Sequence, residues 1–187
     1  MHPVYHRRSI RLKGYDYTQA GAYFVTLVSR HRECIFGEVE EDQVHLNPIG
    51  IIIEASWKNL EHNFPIILDK WVIMPNHFHG IIFLDPNRTG EALANRRMNR
   101  SESKMANASP QRPIGTQSGS LGAIIQNFKS ISTRKLNKAR STPGIPIWQR
   151  NYYEHIIRDE DELNRVRQYI LDNPLKWALD QENPKCP

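Results

Sequence analysis

Residues 66–84 constrain the fold more than any other stretch of this chain. Two apolar runs, near 66–74 and 77–84, are separated only by Pro75-Asn76, so they predict neighbouring strands joined by a tight connection. In a strand, residues two apart share a face. His77-Phe78-His79 therefore sends both imidazoles to one side and the phenyl ring to the other. The apolar continuation to Leu84 predicts a central strand, where two polar rings need a compensating partner if they are buried.

The flanking segments complete an alternating pattern. Residues 21–29 are rich in β-branched and aromatic side chains and predict a buried strand. Gly37 and the acidic cluster 38–42 predict a turn or short hairpin. Asn47-Pro48 is a helix entry, and the helix should run to about Asn63, burying Ile49, Ile52, Ile53, Ser56, Trp57 and Leu60. A second helix, from Gly119-Ser120-Leu121 to about Lys138, buries Leu121, Ile124, Ile125, Phe128, Ile131 and Leu136. Residues 147–158 predict a strand with a bend. Asp159 and Glu162 form a capping-box pattern for a last helix, which reaches Asp172 and ends at Asn173-Pro174. This order predicts an α+β fold: a ferredoxin-like antiparallel sheet with helices on one face, plus a C-terminal helix.

Between about residues 85 and 117 the composition changes to Asn, Arg, Ser, Pro and Gly, with basic residues in excess. This reads as a flexible basic insertion within one domain spanning 1–187. The formal charge of +5 permits a polyanionic partner without requiring one. Cys34 and Cys186 are far apart and in no CxxC pattern, which argues against a disulfide scaffold or a thiolate zinc site. The N-terminal basic residues precede no apolar run, and no stretch of about 18 apolar residues occurs. A cytoplasmic location and no membrane partner are the expectations.

Four groups of residues could carry chemistry. His77 and His79 can hold one divalent ion if a third ligand arrives from elsewhere; satisfied core histidines are the bland alternative. On the last helix Leu163, Val166 and Ile170 form the apolar face, with Tyr169 and Asn173 one above the other at its border. A phenol and an amide oxygen there can address one point, or simply pack on the sheet and stop the helix. Residues 148–155 place Arg150 among aromatics, where phosphate binding and base stacking are conceivable; Tyr152 and Tyr153 are either core aromatics or competing nucleophiles. The arm Arg7, Arg8, Arg11, Lys13 is a phosphate-binding arm or a solvated tail.

The ordered set Met74-Pro75-Asn76-His77-Phe78-His79, Trp148-Gln149-Arg150, Tyr153-Glu154-His155, Arg158-Asp159 and Tyr169-Ile170-Leu171-Asp172-Asn173-Pro174 resembles the REP-associated tyrosine transposases. These are single-tyrosine members of the HUH group, in which U is a bulky apolar residue. The opening residues 8–17 are also similar. The resemblance implies a metal-dependent single-stranded DNA endonuclease and strand transferase acting near hairpins through a 5′-phosphotyrosine. It implies Tyr169 as nucleophile, His77, His79 and Asn173 as ligands of Mg²⁺ or Mn²⁺, and a homodimer as one form. Neutral ligands would leave the ion its full charge for polarising a phosphoryl oxygen. The expected phosphate contacts are Arg7, Arg8, Arg11, Lys129, Arg134, Lys135, Arg150 and Arg158. The competing readings are a non-catalytic module that binds nucleic-acid hairpins and a hydrolase that uses a metal-bound water.

Overall fold

A computed structural model describes residues 14–85, 116–180 and 182–183. Its elements are β1 (Gly21–Val28), β2 (Gly37–Glu40), β3 (Gln43–Leu46), α1 (Pro48–Lys58), β4 (Ile66–Ile73), β5 (His77–Leu84), α2 (Leu121–Arg140), β6 (Tyr153–Ile157) and α3 (Glu160–Asp172). Four strands form one antiparallel sheet in the order β4-β5-β1-β6, and β2 pairs with β3 as a separate hairpin. This is the ferredoxin-like arrangement expected, with α3 as the added C-terminal helix. Arg7, Arg8 and Arg11, and all but the ends of the basic insertion, lie outside the described residues.

Strand β1 pairs with β5 on one edge and β6 on the other, so every second residue of the centre falls on the same side. Tyr23, Val25, Leu27, Phe78 and Ile82 join the core built with α1 and α2. Trp57 of α1 lies against Phe78, with ring centroids 4.4 Å apart, and Phe128 of α2 meets Trp57 at 5.2 Å. Gly80 is required here, because a Cβ would come within 2.7 Å of the Trp57 ring. Ala22, Phe24, Ile81 and Ile157 face the other way and pack with Leu163 and Ile170 of α3.

Local chemistry sets the helix starts. Asn47 Oδ1 accepts from the amides of Ile49 and Gly50 at 2.9 and 3.1 Å, and Asp159 Oδ1 accepts from Glu162 at 2.7 Å. The expected reciprocal bond of the capping box is displaced by one residue: Glu162 Oε2 accepts from the Arg158 amide, while Oε1 meets His155 Nε2 at 2.7 Å. After Lys58 the first helix tightens into a 3-10 turn at Asn59–His62.

The stretch 147–158 is less strand-like than its composition suggests. Trp148 makes only an isolated bridge to Ser29. Its ring packs between Phe36 and Phe128, and its Nε1 donates to Ser132 Oγ at 2.9 Å. Those contacts draw the segment toward α2, and regular pairing with β1 begins at Tyr153. Among the described residues, no helix is long and apolar enough to cross a membrane.

Candidate active site

The tight turn before β5 positions the first imidazole. Asn76 is fully buried, and its Nδ2 donates to the carbonyls of Arg32 and Glu182 at 3.0 and 2.5 Å. Two carbonyl acceptors fix which end of the amide is nitrogen, so Oδ1 faces His77 Nδ1 at 2.9 Å. His77 Nδ1 must therefore carry the proton, and Nε2 presents a lone pair. That lone pair faces Asn173 Oδ1 at 3.3 Å and Asp180 Oδ2 at 3.8 Å. The second imidazole is oriented by the neighbouring strand, with His79 Nδ1 2.8 Å from Thr26 Oγ1.

Both rings lie on the α3 side of β5, with centroids 4.6 Å apart. His79 stacks on Phe24 at 5.4 Å, and Tyr169 of α3 stands edge-on to both rings. The Tyr169 hydroxyl is 3.4 Å from His79 Nε2. Tyr169 comes from the same chain as the imidazoles and is half-exposed as a residue. His77, His79 and Asn173 are buried at 0%, 4% and 2% exposure.

Burial also sets the charge state. Desolvation pushes His77 below its ordinary value, although Asp180 and Asn173 pull the other way. It pushes His79 well below, with His77 adding to the effect. Both imidazoles are thus neutral near pH 7 and able to donate electron pairs. Tyr169 is shifted upward, first by desolvation and then by the Asp180 carboxylate, while Asn173 pulls it back. The phenol keeps its proton at neutral pH unless a positive charge or a base assists.

His77 Nε2 thus meets an amide oxygen and, farther off, a carboxylate oxygen, while His79 Nε2 meets the phenol. Among the described residues no cluster of three or more His, Cys, Asp or Glu stands ready as a metal site. His77, His79 and Asp180 do not make one, and the oxygen that comes within hydrogen-bond distance of His77 Nε2 is that of Asn173, an amide. The donor types still fit a divalent ion, because each imidazole has its Nδ1 already engaged and its Nε2 directed at the gap.

No family model matches the chain. An uncharacterized protein of Haemophilus influenzae is 40% identical over 179 residues, covering 95% of this chain and 93% of that protein, and the two belong to one family. A second Haemophilus influenzae protein, provisionally described as a REP-associated tyrosine transposase, is 24% identical over 162 residues, 86% of this chain and 74% of that one. Among solved structures, a REP-associated tyrosine transposase bound to a REP hairpin superposes with a TM-score of 0.56 at 17% identity, covering 89% of this chain and 74% of that chain. The chain resembles the REP-associated tyrosine transposases.

Measured against that family resemblance, the structure gathers His77, His79, Tyr169 and Asn173 at one point and leaves other candidates apart. Tyr153 sits at the margin, 48% exposed and edge-on to Phe24 at 6.3 Å. Arg134, Lys135, Arg150 and Arg158 are exposed. Lys129 differs from them: its Nζ donates to the carbonyls of Gln149 and Arg150 at 2.5 and 3.0 Å, and desolvation lowers it to about 8. It fastens α2 to the segment before β6. An open groove beside it, about 1230 Å³, is lined by Arg134, Trp148, Gln149, Arg150 and Tyr152 and by none of the four convergent residues. The sequence reading missed Asn76 as the group that orients His77, and Asp180 altogether.

Proposed function

We propose that this chain is a metal-dependent single-stranded DNA endonuclease and strand transferase, acting near hairpins through a 5′-phosphotyrosine on Tyr169. The observation that carries the reading is the 3.4 Å approach of the Tyr169 hydroxyl to His79 Nε2, next to a His77 lone pair that faces oxygen atoms. The transposase-like comparisons support a DNA-processing role, and the hairpin in the solved relative supports hairpin DNA as the partner.

His77, His79 and Asn173 would hold Mg²⁺ or Mn²⁺, which when bound polarises a phosphoryl oxygen and stabilises charge on it. A mixed imidazole and oxygen set suits Mn²⁺ at least as well as Mg²⁺, which favours all-oxygen shells. The Tyr169 oxygen attacks phosphorus and the bond from phosphorus to the 3′ oxygen breaks, the phenol proton passing to solvent and the departing 3′ oxygen taking one up from it. The products are a 5′-phosphotyrosine and a 3′-hydroxyl. The ester keeps the bond energy, so the reverse attack by a 3′-hydroxyl rejoins DNA without a nucleotide cofactor. Asn76 holds His77 in one tautomer, and Thr26 holds the orientation of His79.

Phosphate contacts fall to the exposed Arg134, Lys135, Arg150 and Arg158, and to the Arg7, Arg8 and Arg11 arm. Lys129 joins them only by releasing two carbonyls. A dimer of such chains is compatible with this reading, and Tyr169 reaches the imidazoles of its own chain without one. The test is incubation with labelled hairpin-bearing single-stranded DNA and Mn²⁺, followed by denaturing electrophoresis. A covalent protein–DNA band that EDTA prevents is the expected result. Tight binding that is insensitive to chelator, with no cleavage, would instead make the chain a hairpin-binding module.

A further inference from the structure

We propose that Arg167 and Glu162 are positioning residues for the Tyr169 hydroxyl, because together they fix the rotation of α3 about its own axis. The inference rests on the reading of Tyr169 as nucleophile and adds what holds that nucleophile in place.

The helix has little apolar surface to hold it. Within Glu160–Asp172 only Leu163 and Ile170 are buried, with Val166 partly so. At about 100° per residue these three form a narrow stripe, and Tyr169 and Arg167 project about 80° to either side of its middle. So narrow a stripe fixes the distance of the helix from the sheet better than its rotation. An α-helix with its side chains is about 10–12 Å across, so a roll of about 10° carries an atom at the rim roughly 1 Å. A misplacement of about 1 Å can cost about 100-fold in rate. The Tyr169 hydroxyl, 3.4 Å from His79 Nε2, is such a rim atom.

Polar contacts on both flanks remove that freedom. The edge strands of the sheet are β4 and β6; α3 starts just after β6 and meets β4 at Arg167. Arg167 Nε donates to Asp69 Oδ2 at 2.6 Å, and Nη1 donates to Glu160 Oε1 at 3.2 Å and Asn164 Oδ1 at 3.1 Å. The guanidinium is thus gripped by its own helix and by the strand at once. Asp69 sits where β4 loses register with β5 between Leu68 and Trp71, so that Asp69 and Lys70 oppose the single residue Ile81. Such a bulge bends a strand and re-aims a side chain, and here the carboxylate meets α3. On the Tyr169 flank, Glu162 Oε1 lies 2.7 Å from His155 Nε2 of β6, and Oε2 accepts from the Arg158 amide at 2.8 Å. Ion pairs this near the surface add little to global stability. As fixed points on opposite flanks of one helix, they set an angle.

The experiment measures single-turnover adduct formation on labelled hairpin-bearing single-stranded DNA with Mn²⁺, for the full chain and for Arg167→Met, Arg167→Lys and Glu162→Gln. Hydrogen exchange of α3, β1 and β5 is followed in parallel. At saturating DNA, Arg167→Met is expected to slow adduct formation by at least about tenfold, consistent with a displacement of under 1 Å. The DNA concentration giving half-maximal rate should stay the same, and faster exchange should be confined to α3. Arg167→Lys should recover part of the rate, since an ammonium reaches fewer of the three acceptors. Glu162→Gln should cost less than Arg167→Met, because its amide oxygen still accepts one of the two bonds. Unchanged rates in both Arg167→Met and Glu162→Gln would overturn the positioning role and leave Tyr169 standing as nucleophile. Faster exchange spreading to β1 and β5 in Arg167→Met would make the pair a general stabiliser and also overturn it. No adduct from the unaltered chain would overturn the nucleophile and the positioning role together.

Discussion

The two faces of strand β5 are built from adjacent residues and do opposite things. Toward α1 and α2, Phe78 lies against Trp57 and Phe128, and Gly80 leaves space for the indole. Toward α3, His77 and His79 meet Asn173, Asp180 and Tyr169. The apolar face holds the larger set of buried side chains, including Trp57, Tyr23, Phe36 and Phe128. The α3 face has a smaller apolar cluster beside a buried polar one. Period-two alternation thus separates the main core from the proposed site within a single strand, and the first face can hold the strand rigid while the second carries groups that packing alone would not favour.

That division can be broken or sharpened by substitution. The largest effect is expected from His77→Ala with His79→Ala, which should abolish cleavage of hairpin DNA in a gel assay while leaving the circular dichroism spectrum that of a folded chain. Next comes Phe78→Ala, one residue away and pointing the other way. It should cost about 3–5 kcal/mol in chemical denaturation through the cavity it opens. If Phe78→Ala were harmless and the histidine pair essential for folding, the two faces would have exchanged roles.

Asn76→Ala should weaken Mn²⁺ binding by about 10–100-fold in a titration, because the imidazole loses the partner that fixes its tautomer. Lys129→Ala is expected to cost about 1 kcal/mol of stability, since two carbonyls lose a donor. It should leave the salt dependence of DNA binding nearly unchanged, whereas Arg134→Ala should reduce that dependence. The smallest effect concerns pH. Both imidazoles are depressed in the folded state, so below about pH 6.5 the unfolded chain binds more protons and metal-free stability falls. Thermal melts from pH 7.5 to pH 5 should show this decline, and the double histidine variant should show less of it.

Most of the framework was legible because it is local. The spacing of Ile53, Trp57 and Leu60, the cap at Asn47, and the alternation through His77-Phe78-His79 each report their own element and its buried side. Tyr169 and Asn173 were legible as neighbours because four residues make about one helical turn. What was hidden depends on chain return. Asp180 reaches the site only because the segment after Pro174 folds back, and nothing within residues 174–180 announces that. Asn76 reads as a turn residue, and its second role exists only once the Arg32 and Glu182 carbonyls arrive. Lys129 reads as one more charge on a basic helix; its inward direction comes from the path of residues 149–150. Trp148 reads as part of a strand, and its pull toward Ser132 is a tertiary effect.

The central claim is that a phenol on the C-terminal helix attacks DNA beside paired imidazoles on the middle strand. It is tested most directly by trapping the protein–DNA adduct, digesting both components and locating the nucleotide-bearing residue by mass spectrometry. The account predicts the modification on Tyr169 and no adduct from Tyr169→Phe. A nucleotide found on Tyr152 or Tyr153, or an adduct that survives in Tyr169→Phe, would contradict it.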